Sequence, residues 1–263
     1  MTPIKKFPQR LKQRIRYVLT DIDDTLTVKG RLPAAALAAM EDLQQAGIRV
    51  VPITGRPAGW CDHIARMWPV DGLVGENGAF YFYYDDMARR MIRRYWKSPE
   101  DRHADRMRLD AIQKNVLAAV PGCAVAADQS YREADLAIDF CEDVPALPNQ
   151  SIDMIKALFE AAGATARISS IHVNGWFGDY DKLSMSRLMF AEIFNEDIDA
   201  VRSQVVFCGD SPNDSPMFGF FPHSVGVANV RDFETQLETS PAWITRAMGG
   251  LGFAEMVKVL LDP

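Results

Sequence analysis

The sequence predicts an α/β fold, with a parallel-sheet core and a second α/β unit inserted into it. Three observations carry this. Short β-prone apolar runs at Tyr17 to Leu19, Ile48 to Ile53 and Gln204 to Cys208 alternate with helix-patterned stretches. A strand, a helix and a strand in series near the start are the signature of a right-handed parallel crossover. Between about Asp85 and Gly178 the texture changes to a basic strand, a long polar helix pattern, and a further strand, helix and strand. The expected division is a core of residues 1–84 and 179–263 around an insert of residues 85–178.

With 263 residues, 48% of them hydrophobic, the chain can bury a sizeable core. A net charge of -6 argues against nucleic acid or an anionic membrane as the general partner, since both select basic surfaces. Cys61, Cys123, Cys141 and Cys208 lie far apart without a CxxC pair, which argues against a disulfide framework or a zinc site. No stretch reaches the roughly 18 apolar residues of a membrane span. The basic N-terminal stretch has no apolar run behind it, so a cytoplasmic protein is expected. Residues 1–16 hold Lys5, Lys6, Arg10, Lys12, Arg14 and Arg16 with little to bury, and are expected as a solvated lead-in without a function.

The chemistry concentrates at Tyr17 to Thr27, YVLTDIDDTLT. A short apolar strand runs into Asp21, Asp23 and Asp24, and three carboxylates so close repel one another unless a cation joins them. A strand ending in acids places them at the carboxyl edge of a sheet, where open α/β folds bind ligands. Asp21, at the strand end, is the candidate nucleophile toward phosphorus, and Asp23 can protonate the leaving oxygen. Leu32-Pro33 opens a helix that Gly47 stops. The next strand ends in Thr54-Gly55-Arg56-Pro57, so the Thr54 hydroxyl can reach a phosphate held at Asp21 and Arg56 can add a charged contact. Asn77-Gly78 reads as a turn, and the run FYFYY at 80–84 as sheet core.

Beyond the insert, Lys182 opens the apolar-periodic helix LSMSRLMFAEIF, against the helix dipole. The strand QVVFC ends in Gly209-Asp210-Ser211-Pro212-Asn213-Asp214, so acids again stand at a strand end. Asp210, Asp21 and the backbone carbonyl of Asp23 offer the oxygen ligands that a hard divalent ion prefers.

DIDDTLT resembles the first motif of the haloacid dehalogenase superfamily of phosphohydrolases, and other segments follow in that superfamily's order. Thr54 resembles the second motif, with TGRP and ENGA similar to members that carry a large cap. Lys182 matches the third motif, although Leu183 stands where Gly is usual, and GDSPNDSPMF resembles the fourth. The resemblance implies a Rossmann-like parallel-sheet core with an inserted α/β cap domain of the type IIB kind, found in Cof-like, sucrose-phosphate and mannosyl-phosphoglycerate phosphatases. It implies Mg²⁺ as cofactor, with Asp21, Asp23, Asp210 and Asp214 around the metal. Thr54, Gly55, Arg56, Lys182 and Asn213 would surround the phosphate. The expected reaction is hydrolysis of a small-molecule phosphate ester, a sugar phosphate first, through an aspartyl-phosphate. Two readings stay open beside it: a mutase or phosphotransferase using the same intermediate, and a catalytically silent binding module. The insert is expected to select the substrate, with His172, Asn174 and Trp176 as its candidate residues.

Overall fold

The structure is a computed structural model and describes residues 1–262. The chain begins with β1 (Thr2–Pro3), α1 (Gln9–Lys12), β2 (Tyr17–Thr20), α2 (Ala34–Gln45), β3 (Arg49–Pro52), α3 (Ala58–Met67), β4 (Leu73–Gly75), β5 (Phe80–Asp85) and β6 (Arg90–Tyr95). A second group follows, α4 (Pro99–Ala119), β7 (Ala124–Val125), β8 (Leu136–Asp139), α5 (Asn149–Ala161), β9 (Thr165–Ile168) and β10 (His172–Trp176). The return consists of α6 (Lys182–Met189), α7 (Ile198–Val201), β11 (Val205–Gly209), α8 (Ser215–Phe220), β12 (His223–Gly226), β13 (Trp243–Ile244) and α9 (Gly249–Leu261).

Six strands form the core sheet in the order β1-β13-β12-β11-β2-β3, every pair parallel. Alternation along each strand divides the apolar residues between two faces. Val18, Val50, Val206 and Cys208 pack toward α2, α3 and α9, whereas Tyr17, Leu19, Val51, Val205 and Phe207 pack toward α6 and α8. From β2 the chain builds outward through β3, and from β11 it builds the other way through β12 and β13. The carboxyl ends of β2 and β11 are therefore the switch point at which such sheets place ligands. Asp21 and Asp210 follow those two strand ends.

The second sheet, β7-β8-β10-β9, is antiparallel, and α4 and α5 cover one of its faces around Leu136, Ile138, Phe159 and Val173. It sits above the carboxyl edge of the core sheet as a cap. A third, three-stranded sheet, β4-β5-β6, extends from the core through the parallel bridge between Ile53 and Val74. The expected insert boundary at residue 85 thus falls inside the β5–β6 hairpin, whose second strand stays with β5.

Two expectations need correction. Residues 1–16 are not a solvated lead-in: β1 adds to the sheet edge beside β13, and Ile4, Phe7 and Ile15 are buried. Phe7 meets Trp243 edge-on at 5.1 Å, a partner too distant in sequence for local composition to reveal. The stretch TARISSIHVNGWFG is two strands rather than one. Ser169 breaks it, its hydroxyl oxygen accepting from the Ile171 and His172 N–H groups at 3.3 and 3.0 Å. No described helix is long and apolar enough to cross a membrane, and all four cysteines are free.

Candidate active site

At the switch point three buried carboxylates converge. Asp21, Asp210 and Asp214 each offer one oxygen, and these oxygens lie within 4.8 Å of one another. The backbone places them tightly. The Asp21 N–H donates to the Cys208 carbonyl at 2.9 Å, continuing the β2–β11 ladder into the loop. Asp214 folds back on the 3₁₀ turn after β11 and accepts from the N–H groups of Asp210 and Ser211 at 3.1 and 3.4 Å. Gly209 makes this approach possible, because a Cβ there would come within 2.5 Å of the Asp214 carboxylate.

A single ammonium faces the three acids. Lys182 Nζ donates to Asp21 Oδ1 at 2.7 Å and to Asp214 Oδ1 at 2.8 Å, and its side chain is 7% exposed. Gly78, at φ 111°, lets the turn after β4 press beneath the start of α6, since a Cβ would meet the Asp181 carbonyl at 2.1 Å. The dipole cost of a lysine at a helix start is thereby outweighed by two carboxylates. Burial works against the ammonium, but Asp21 and Asp214 together hold it above its usual range. For the acids, burial is the largest influence, pushing Asp21 up to about 8 and Asp210 well above the carboxylate range. Lys182 opposes the rise at Asp21, and Asp214 adds to it at both. One positive charge for three carboxylates leaves the cluster short of cation. A hard divalent ion with oxygen ligands fits this donor set.

Two residues that sequence reasoning missed steady the cluster. Thr25 Oγ1 donates to Asp210 Oδ1 at 2.9 Å, and Asn229 Nδ2 donates to Asp210 Oδ2 at 3.1 Å and to the Asp24 carbonyl at 3.0 Å. Thr25 stood in view within DIDDTLT. Asn229 carried no signal, being an ordinary polar residue after β12.

The remaining predicted residues fall into two groups. Asp23, Gly55 and Asn213 border, with the unpredicted Ser211, a chamber of about 20 Å³ beside Asp21, roofed by the cap turn Ser169–Ile171. Thr54 is buried at the end of β3, and its hydroxyl oxygen accepts from the Arg56 N–H at 3.0 Å. Asp23's carboxylate stands outside the three-acid cluster. Arg56, expected to contact phosphate, instead grips both Asp23 oxygens from Nε at 3.0 Å, reaches cap residues Glu142 at 2.9 Å and Asp128 at 3.4 Å, and lies over Trp60. His172 Nε2 is 3.0 Å from Glu142 Oε2, so the imidazole and Arg56 face the same cap carboxylate. Asn174 and Trp176, expected to read substrate, have structural partners. Asn174 donates to Asp135 at 2.9 Å, and Trp176 donates to the Tyr180 carbonyl at 3.3 Å and stacks on its ring at the hinge.

Asp128 and Asp135 belong to a network around Arg132, whose guanidinium bonds Asp128, Asp135 and the core carbonyl of Gly55 at 2.9 to 3.1 Å. Glu76 completes it from the core side. Its carboxylate accepts from the N–H groups of Ala58, Glu133, Ala134 and Asp135, three of them in the cap. Burial first, then Asp135, pushes its carboxyl up to about 7 against the pull of Arg132. Asn77, expected only as a turn residue beside it, is buried at φ 56°. ENGA is therefore the core's grip on the cap.

A sequence profile of haloacid dehalogenase-like hydrolases matches residues 18–103, which hold the Asp21, Thr54 and Glu76 segments. Among curated proteins, a phosphoglycolate phosphatase of Methanoculleus marisnigri is 26% identical over 93% of this chain and 96% of its own. Among solved structures, a Thermoplasma acidophilum protein superposes with a TM-score of 0.68 at 16% identity, over 94% of this chain and 98% of that one. The Synechocystis sucrose-phosphatase, solved with sucrose and phosphate, gives 0.63 at 14% identity, over 93% and 97%. The chain is thus similar to the haloacid dehalogenase-like hydrolases over residues 18–103, and it shares its fold with these solved structures along nearly its whole length.

Proposed function

We propose that this hydrolase is a Mg²⁺-dependent phosphatase of small phosphate esters that works through a phosphorylated Asp21. The carrying observation is the contact of Lys182 Nζ with both Asp21 and Asp214, which fixes one Asp21 oxygen and leaves the other free to attack. In the first step the Asp21 oxygen bonds to phosphorus as the ester P–O bond breaks, and the leaving oxygen takes a proton from Asp23. In the second, water attacks the same phosphorus and gives its proton to Asp23, so phosphate leaves and Asp21 is restored. Lys182 and the Thr54 hydroxyl supply positive charge and a hydrogen bond to the phosphoryl oxygens, with Gly55 and Asn213 beside them. A Mg²⁺ held by Asp21, Asp210 and Asp214, with the Asp23 carbonyl, would neutralise the charge gathered where acids and phosphate meet.

The chamber beside Asp21 holds about one water at 20 Å³, so the cap moves away to admit an ester and closes again to exclude solvent. The relative matched along nearly its whole length bears the name phosphoglycolate phosphatase, and this favours a short phosphorylated hydroxy acid over the sugar phosphate expected from sequence. The decisive experiment is rapid quenching of enzyme mixed with p-nitrophenyl phosphate and Mg²⁺, followed by peptide mass spectrometry. Phosphate should appear on Asp21, and Asp21→Asn should lower turnover by on the order of 10⁴-fold or more. Full activity in excess chelator, or phosphate trapped on another residue, would sink the proposal.

A further inference from the structure

The cap sheet sorts its side chains by face. Leu136, Ile138, Ala166 and Val173 join the apolar cluster under α4 and α5, so the residues of opposite parity face the core. Asn174 is one of these and borders the Asp21 chamber. Its register partner on β9 is Arg167, and directly paired residues share a face. Arg167 therefore projects toward the core.

Unlike Arg56 and Arg132, Arg167 is exposed and makes no ion pair or side-chain hydrogen bond among the described residues. It borders a cavity of about 350 Å³ at the seam between cap and core, together with Lys182, Asn77 and Asn213. An adjoining cavity of about 230 Å³ also has Arg167 and Asn213 in its wall. Asn77 supplies an independent sign of a ligand. Its side chain is buried, yet Nδ2 has no hydrogen-bond partner, and a buried amide donor without an acceptor is costly to keep. Two acids share the larger cavity without neutralising Arg167. Asp181 is engaged with the Ser184 N–H and hydroxyl at 2.7 Å, and Asp179 pairs with no cation among the described residues. Lys182 spans the distance from this cavity to the 2.7 Å contact at Asp21, so the space opens within one side chain of the reacting carboxylate.

We propose that this seam cavity is the leaving-group subsite and that it takes an anion, a carboxylate on the alcohol being released, with Arg167 as its charge partner and Asn77 Nδ2 as a donor. The proposal rests on the phosphatase reading above and names the substrate class of that site. A planar guanidinium matches a carboxylate bidentately, and an unsatisfied amide matches one of its lone pairs.

The test compares 2-phosphoglycolate with 2-hydroxyethyl phosphate, which has the same length but no charge on the leaving group. The wild type should prefer the carboxylate, and Arg167→Ala should reduce that preference by about 10- to 100-fold, the usual range for one charged hydrogen bond. Arg167→Lys should recover part of it. Calorimetric titration of 2-phosphoglycolate into Asp21→Asn, with and without Arg167→Ala, reads the subsite without turnover and should show a similar weakening. Equal affinities in that titration, or an unchanged preference in an active enzyme, would overturn the subsite. A wild type that releases phosphate from no ester would overturn the phosphatase reading instead, leaving the titration to decide the subsite.

Discussion

Two clusters of charge meet at the loop that carries Asp21 and Asp23, and they are built on opposite principles. Around Arg132 and Arg56, each acid meets a guanidinium or several backbone donors: Asp128 and Asp135 on Arg132, Asp23 and Glu142 on Arg56, Glu76 on four N–H groups. Around Lys182, three carboxylates crowd within 4.8 Å with one ammonium between them. Paired charges with filled hydrogen bonds hold two pieces of structure together. Charges left short of a partner store a demand for one, and that is what a binding site is. The first cluster joins cap to core, and the second is the one that a metal and a phosphoryl group would complete under the proposed function.

A large loss of turnover should come from removing Lys182, the second cluster's one cation among the described residues. Lys182→Ala should lower turnover of p-nitrophenyl phosphate by on the order of 10²-fold or more, as loss of a preorganised charge contact does. Nearly full activity in a folded variant would show that the shortage of cation there has no catalytic meaning.

The next should come from breaking the paired cluster. Arg132→Met leaves buried Asp135 with no cation and Asp128 with only the 3.4 Å contact to Arg56, and denaturant unfolding should show a loss of about 3–5 kcal/mol. If stability falls by less than about 1 kcal/mol, the range of an exposed ion pair, the network is not the joint it resembles.

The smallest should be a pH effect at the edge of the paired cluster. His172, with Arg56 behind it, holds the Glu142 carboxyl down at about 2, against a usual 4.5. A depressed carboxyl stabilises the fold above its unfolded value, so this contribution should be whole above pH 4.5 and be lost as pH falls toward 2. Glu142→Gln should flatten the stability profile in that window, and thermal melts from pH 6 to 2.5 would check it. An unaltered profile would mean the Glu142 contact contributes nothing.

Much of this was readable before any coordinates. Each core motif sits where local physics puts it: Asp21 and Thr54 just past β-branched runs, Lys182 at the start of a periodic helix, Asp210 just past the buried run VVFCG. Strand propensity and helix periodicity are local, so, while the meeting of the four motifs at one sheet edge was an expectation from the family resemblance, the order of elements followed from the sequence alone. It also determined the oxygen-rich character of the site, since acids at strand ends announce a cation whatever surrounds them. Tertiary structure decided what each polar residue is for. Arg56 is a cap tether because of partners such as Glu142, 86 positions away, which no local pattern encodes. Glu76, Thr25 and Asn229 drew their roles the same way, from donors and acceptors that meet only on folding. Arg167 differs from the other cap arginines by what it does not touch, and an unmet charge becomes visible only when every neighbour is in place.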